Sequence, residues 1–152
     1  MLKAKSELSL RGRALQALSR RELSRAELHA KLLPHVKEAD DIVVLLDDLE
    51  KRGWLSDSRA LEQIVRIRSA RFGTQRITHE LRQKGISEEL ISASIPQLKE
   101  GELDAARAVW QRKFASPPQD QKEKAKQVRF LQSRGFSMEV IFKVMKIADI
   151  DD

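Results

Sequence analysis

The fold is decided by one stretch of sequence, LRQKGISEELI at residues 81–91, because the same pattern returns at residues 131–141 as LQSRGFSMEVI. In both copies a glycine stands four positions after a leucine and is followed by one apolar residue and a serine. A glycine in this place ends a helix in the left-handed conformation, and the serine caps the helix that follows. We therefore predict that Gly85 and Gly135 each form a corner between two helices.

A third corner is predicted at Gly53, where LEKRGWLS at residues 49–56 carries one additional residue before its serine. The corners belong to a longer repeat, since ELHAKL at residues 27–32 resembles ELRQKG at residues 80–85. Repeats of this length are typical of stacked supersecondary units. We predict an all-α fold, an elongated, curved array of three tandem three-helix (helix-turn-helix-like) repeats at residues 9–55, 56–99 and 100–148.

The boundary between the second and third repeats is predicted from a proline. Pro96 should end or kink the helix that starts after Ser87, because proline removes a helix hydrogen bond and crowds the preceding turn. The first helix of the third repeat should then begin at about Glu102. Two separate helices are therefore expected between Ser87 and the Ser-Pro-Pro loop at residues 116–118.

The composition of the 152-residue chain agrees with helices, since it has six glycines, four prolines and no cysteine. Without cysteine there is neither a disulfide framework nor a thiolate metal site. Residues 1–13 are polar and basic, unlike a secretory signal, and no stretch is apolar for long enough to span a membrane. We therefore expect a cytoplasmic protein that does not contact a membrane.

The sequence offers few candidates for catalysis. It has no glycine-rich phosphate loop, nucleophile elbow or zinc-binding histidine pair. The histidines are too scattered to predict a metal site: His29, His35 and His79. Four aspartates fit the solvated face of a helix better than a cation site: Asp40, Asp41, Asp47 and Asp48. We expect no enzymatic activity, no cofactor and no metal ion.

The two tryptophans could in principle stack on nucleotide bases. Trp54, however, follows a corner glycine, where a residue packs on its own helix. Trp110 is in register with the apolar residues Ala106 and Val109. We therefore predict that both tryptophans belong to the core.

The chain carries a formal charge of +6, and its charges are clustered by helix. Bases dominate residues 11–31, 66–84 and 122–134, whereas acids dominate residues 38–50 and 88–104. Basic faces attract polyanions, so bases from the three basic stretches are our candidates for contacting a nucleoprotein partner or DNA. They are Arg20, Arg21, Arg25, Lys31, Arg66, Arg68, Arg71, Arg76, Lys84, Lys122, Lys126, Arg129 and Arg134.

Several motifs, taken together, resemble the RecX family of recombination regulators. They follow the family's order and span about residues 13–145, which is nearly the whole chain. The motifs are RAL at residues 13–15, LSRRELSRAEL at 18–28, GWLSDSR at 53–59, ELRQKGI at 80–86 and RGFS at 134–137. Two positions depart from the family pattern: Ala60 stands where an aromatic residue is common, and Gly73-Thr74 stands where Gly-Pro is common.

The resemblance implies a non-enzymatic protein that binds the RecA recombinase and its filament on single-stranded DNA. Members of the family usually inhibit filament extension, ATP hydrolysis and strand exchange, and their tandem three-helix repeats lie in the groove of the filament. We therefore expect three partners: RecA, its nucleoprotein filament and single-stranded DNA. Duplex DNA would be bound only without sequence preference, and the protein is expected to be a monomer.

Two other functions remain open from the residues. The helix pairs at the glycine corners could act as helix-turn-helix modules of a DNA-binding regulator that works without RecA. The helices after Ser87 and Ser137 begin with acids, however, which does not favour a place in the major groove. A scaffold that contacts only proteins is the third possibility, and partner binding independent of salt would favour it.

Overall fold

The structure of the protein is a computed structural model, which describes residues 8–151 and the side chains as far as Lys146. Within residues 8–151 there are helices and no strand, so the all-α prediction is confirmed. The α-helices of this range are α1 (Leu10–Arg20), α2 (Arg25–Leu32), α3 (Ile42–Lys51), α4 (Asp57–Arg68), α5 (Thr74–Gln83), α6 (Glu88–Phe114), α7 (Gln121–Ser133) and α8 (Met138–Asp151). A short 3-10 turn, Leu33–His35, follows α2.

The chain divides into two compact units. The first unit runs to Leu61 and also includes Lys84–Ile86. The second comprises Glu62–Gln83 and the chain from Ser87 onward. Each unit has a hydrophobic core of its own.

The core of the first unit is made almost entirely of leucines, which α1, α2 and α3 each turn to one side. The helix α2 begins at a capping box, because the Ser24 hydroxyl accepts a hydrogen bond from the Glu27 amide at 3.0 Å and the Glu27 carboxylate accepts one from the Ser24 amide at 3.0 Å. These two bonds satisfy amide groups that a first helical turn leaves free. The core residues are Leu10, Ala14, Leu23, Leu28, Leu32, Leu46, Leu49 and Leu55.

The three predicted corners are confirmed by their backbone angles. Gly53, Gly85 and Gly135 have φ of +76°, +74° and +89°, the left-handed region that side chains disfavour. At the third corner the Gly135 and Phe136 amides donate to carbonyls of α7 at 2.9 and 3.2 Å. The carbonyls at the helix end therefore find donors, and the chain turns sharply into α8.

The helix α6 is the central element of the second unit, where it packs against α5, α7 and α8. The core that α6 shares with α7 and α8 contains Ala106, Trp110, Leu131, Phe136 and Ile141, each at most 6% exposed. Trp110 is 6% exposed and its indole nitrogen donates to Gln127 Oε1 at 2.8 Å, so the prediction of core packing is confirmed for this tryptophan. The buried Gln127 amide in turn donates to the Ser116 carbonyl at 3.3 Å, which ties α7 to the loop before it.

The prediction that Pro96 ends a helix, with a second helix starting at about Glu102, is wrong. One helix of 27 residues, α6, runs through Pro96 and through the start predicted at Glu102. Pro96 and Ser92, whose carbonyl loses its helix hydrogen bond, are both exposed residues of α6, so the break lies away from the core. Apolar residues on the opposite side, from Ile91 to Trp110, remain buried along the whole helix and hold it continuous.

The prediction of core packing is also wrong for Trp54. Its side chain is 44% exposed, whereas Leu55, the next residue, is only 2% exposed. The additional residue in this corner explains the difference, because it moves the buried position from the first to the second residue after Gly53. The guanidinium groups of Arg11 and Arg52 lie 5.6 and 5.5 Å from the centre of the Trp54 ring.

Candidate nucleic-acid interface

A cleft of about 240 Å³ in the second unit is lined by four cationic side chains and two apolar ones. No acidic residue lines it, and no carboxylate among the described residues pairs with its cations. We call this site the basic cleft. Its lining residues are Arg71, Val109, Arg112, Lys113, Phe130 and Arg134.

Three elements supply the basic cleft. Arg112 and Lys113 lie in the last turn of α6, where cations interact favourably with the partial negative charge of a helix end. Phe130 belongs to α7, and Arg134 is the residue that caps the end of α7. Arg71 lies in the turn that follows α4.

Backbone hydrogen bonds hold the turn after α4 against the third corner. The Gly73 amide donates to the Arg134 carbonyl at 2.8 Å, and the Gln75 amide donates to the Gly135 carbonyl at 3.3 Å. A Cβ atom on Gly73 would lie 2.3 Å from the Gly135 carbonyl oxygen, so only glycine permits this approach. Gly73 and Gly135 therefore bring Arg71 and Arg134, which are far apart in sequence, to the same cleft.

Aromatic rings lie beneath two of the cleft's cations, Lys113 and Arg134. The Arg134 guanidinium is 5.1 Å from the centre of the Phe130 ring and 5.7 Å from that of Phe72, and the Lys113 ammonium is 5.4 Å from Phe130. Arg76 adds a guanidinium 4.1 Å from the Phe72 ring, and its side chain also donates to the Ser133 carbonyl at 3.1 Å. Cation–π contacts of this kind fix the positions of charged groups that would otherwise be mobile.

The first unit has a smaller basic cleft of about 130 Å³ between α1 and α2. It brings together two residues of the predicted set, Arg20 and Lys31, and adds Arg13. Gln16 and His35 supply further polar groups, and no acidic residue lines this cleft either. Each unit therefore offers cations that are positioned together.

Several bases of the predicted set are engaged within the protein. Arg21 pairs with Glu27 at 3.2 Å, Arg68 with Glu80 at 3.1 Å, and Lys84 with Glu27 at 3.9 Å. Arg25 pairs with Glu50 and with Asp47, and the hydrogen bond to Glu50 contributes most to raising the pKa of its guanidinium. The basic stretch of the first unit is therefore partly neutralised by the acids of α3.

The remaining predicted bases are exposed but line neither cleft: Arg66, Lys122, Lys126 and Arg129. Sequence reasoning missed Arg13, Arg112 and Lys113. A signal for the last two was present, because two adjacent bases precede the loop that ends α6. Both lie outside the three basic stretches, 11–31, 66–84 and 122–134, that mark the predicted candidates.

Other chemistry is limited in the described part of the chain. Among its residues no group of three histidine, cysteine, aspartate or glutamate side chains is placed to hold a metal ion. No helix in residues 8–151 is sufficiently long and apolar to cross a membrane. What the clefts can do is bind anions such as the phosphates of a nucleic acid.

These features define an all-α protein of three-helix domains with positively charged clefts. The sequence model for the second three-helix domain of RecX matches residues 56–95, and the model for the third three-helix domain matches residues 100–145. The chain belongs to the RecX family.

Individual relatives agree over almost the full length. "Regulatory protein RecX" of Leptothrix cholodnii is 45% identical over 98% of this chain and 95% of its own. The protein of the same name from Ralstonia nicotianae is 46% identical over 95% of this chain and 92% of its own. The crystal structure of RecX from Lactobacillus salivarius has the same fold, with a TM-score of 0.78 at 20% identity over 93% of this chain and 95% of that one.

Proposed function

We propose that this protein is a non-enzymatic, cytoplasmic regulator that binds the RecA recombinase and its filament on single-stranded DNA. It limits filament extension, and with it ATP hydrolysis and strand exchange. Membership of the RecX family supports the proposal, because the relatives are named regulatory proteins. The protein acts by occupying the filament and performs no chemistry on it.

The basic cleft of the second unit is the observation that carries this proposal. Its four cations have no carboxylate partner among the described residues, and two of them, Lys113 and Arg134, lie over the Phe130 ring. The phosphates of a single strand match these cations. The other bases of the predicted set extend the contact, with Arg20 and Lys31 in the cleft of the first unit.

Contact with the recombinase itself needs a different surface. The helix α3 exposes Val43 and Val44, whose side chains are 52% and 61% accessible, beside the acids Asp40 and Asp47. An exposed apolar pair with acidic neighbours suits a protein partner better than a polyanion. We assign the recombinase contact to the acidic helices and the DNA contact to the basic clefts.

The test is a RecA ATPase assay on single-stranded DNA, titrated with the protein. The wild type should inhibit ATP hydrolysis, and a variant with Arg112 and Arg134 changed to Glu should lose inhibition while its circular dichroism shows unchanged helicity. A control with the same change of charge replaces the exposed Lys124 and Lys146 by Glu and should inhibit like the wild type. Normal inhibition by the cleft variant would show that the basic cleft is not the contact.

A further inference from the structure

A second cavity of the second unit lies among α5, α6 and α8 and has a volume of about 580 Å³. It differs from the basic cleft because it contains a buried acid. We call it the acid-floored groove. The residues that matter for its chemistry are Thr74, Ile95, Lys99, Glu102, Val140 and Lys143.

Glu102 is the unusual residue of the groove. Glu102 is only 6% exposed, and its Oε2 accepts a hydrogen bond from the Thr74 hydroxyl at 2.9 Å. Its other oxygen, Oε1, is buried and receives no hydrogen bond from any described residue. Buried polar atoms in folded proteins are nearly always paired, so an unpaired carboxylate oxygen beside a cavity points to a missing donor.

We propose that the acid-floored groove binds an arginine side chain of a protein partner, whose guanidinium donates to Glu102 Oε1. A guanidinium carries several donors in one plane and is less strongly hydrated than an ammonium group, so it enters a buried carboxylate site more readily than lysine. A metal ion does not fit, because Glu102 belongs to no group of three metal-binding side chains within the described residues.

The residues at the rim of the groove indicate which residues should flank that arginine in the partner. Arg82, Lys99 and Lys143 are exposed cations of the rim, although Arg82 also pairs with Glu88 and Lys143 with Glu139. These cations favour acids on either side of the arginine, and the half-buried Ile95 and Val140 offer apolar contacts. A nucleic acid fits poorly, because its phosphates would face Glu102 and Glu139. The occupant is therefore an acidic segment with one arginine.

The proposed arginine site depends on the proposed function only for the identity of the partner, which would be the recombinase. Its chemistry can be tested without the recombinase. The probe is a blocked pentapeptide with one arginine between two pairs of glutamates, titrated into the ¹⁵N-labelled full-length protein and followed by amide chemical shifts. A second peptide with glutamine in place of the arginine reports on the rim alone.

Glu102→Gln is the decisive variant, and Asp104→Asn is its control, since Asp104 is an exposed acid two positions along the same helix. The arginine peptide should shift the amides of Thr74, Glu102 and Val140 in the wild type and in Asp104→Asn. In Glu102→Gln its affinity should fall at least about tenfold, as expected when one partner of a buried charged pair is truncated. The glutamine peptide should bind all three proteins weakly.

Absence of shifts at the groove in the wild type, or equal affinity in Glu102→Gln, would overturn the proposal. If Glu102→Gln unfolds, Lys99→Glu replaces it, because Lys99 is exposed and its reversal should repel the acidic peptide. Inhibition of the recombinase is measured separately. A wild type that binds the peptide but does not inhibit would overturn the proposed function while supporting the groove.

Discussion

At Gly135 two segments of the second unit approach too closely for any side chain. A Cβ atom there would lie 2.3 Å from Arg76 Cβ and 2.7 Å from the Arg76 amide nitrogen, and the backbone has φ of +89°. Gly135→Ala therefore combines an unfavourable backbone angle with a clash against backbone. We expect it to lower the free energy of unfolding by about 2–4 kcal/mol. Urea unfolding followed by circular dichroism measures this change.

The matched control is Gly101→Ala, in the same unit. Gly101 lies inside α6 and a Cβ atom there would meet nothing within 4 Å. Alanine in place of a helical glycine should stabilise the protein by up to about 1 kcal/mol. A Gly135→Ala variant that is as stable as the wild type, or more stable, would contradict the close approach at the third corner.

Single residues also show where sequence reasoning succeeds and fails. The corner glycines were predictable because the left-handed conformation is a local property of the chain. The exposure of Trp54 was not, because one additional residue in its corner decides which side chain turns inward. The gathering of Arg71 with Arg112 and Arg134 depends on contacts between distant segments, and no local pattern carries that information.

At the scale of elements, α6 shows how local rules compete with packing. Pro96 predicted a break, but the buried residues on the other side of α6, including Ile91, Leu98 and Ala106, form a continuous apolar stripe. Burial of that stripe against α5, α7 and α8 outweighs the lost hydrogen bond. The start of α6 at Ser87 was predicted correctly, because the cap is local: the Ser87 hydroxyl accepts from the Leu90 amide at 3.3 Å.

The proline of α6 is therefore expected to cost stability. Pro96→Ala should restore a hydrogen bond to the Ser92 carbonyl and raise the free energy of unfolding by about 1–2 kcal/mol, less than the full cost of a helical proline because the proline lies on the exposed side of the helix. The midpoint of urea unfolding measures the gain.

Pro118→Ala, in the loop between α6 and α7, is the control for the proline test. There the substitution only increases the conformational entropy of the unfolded chain. It should therefore lower the free energy of unfolding by about 0.4–1 kcal/mol. A loss of stability in Pro96→Ala would mean that the proline ring itself stabilises the fold. The apolar stripe would then not be the sole reason that α6 is continuous.

For the whole molecule, the distribution of charge matters more than the net charge of +6. Acids of α3 neutralise Arg25, and Asp48 accepts hydrogen bonds from both Arg11 and Arg52, whose guanidinium groups hold the pKa of its carboxyl below the usual value. Within the part of the chain that the structure describes, the cations of the two clefts pair with no carboxylate. Sequence reasoning could place bases and acids on different helices, but only the fold shows which bases are already neutralised.

This difference predicts how binding depends on salt. Each phosphate contact to a single strand contributes about 0.7 to the slope of log affinity against log salt concentration. Replacing Arg112 and Arg134 by Gln should therefore reduce the magnitude of that slope by about 1.4, because both cations line the basic cleft. Fluorescence anisotropy with a labelled oligothymidine, between about 50 and 200 mM salt, measures the slope.

The comparison that decides the point is a second double variant with the same change of charge. Lys51→Gln with Lys124→Gln also removes two positive charges, but neither lysine lines a cleft. If contacts in the basic cleft carry the binding, this control should keep the slope of the wild type. An equal reduction in both double variants would mean that the strand responds to the overall field of the molecule, and the basic cleft would then have no special part in binding DNA.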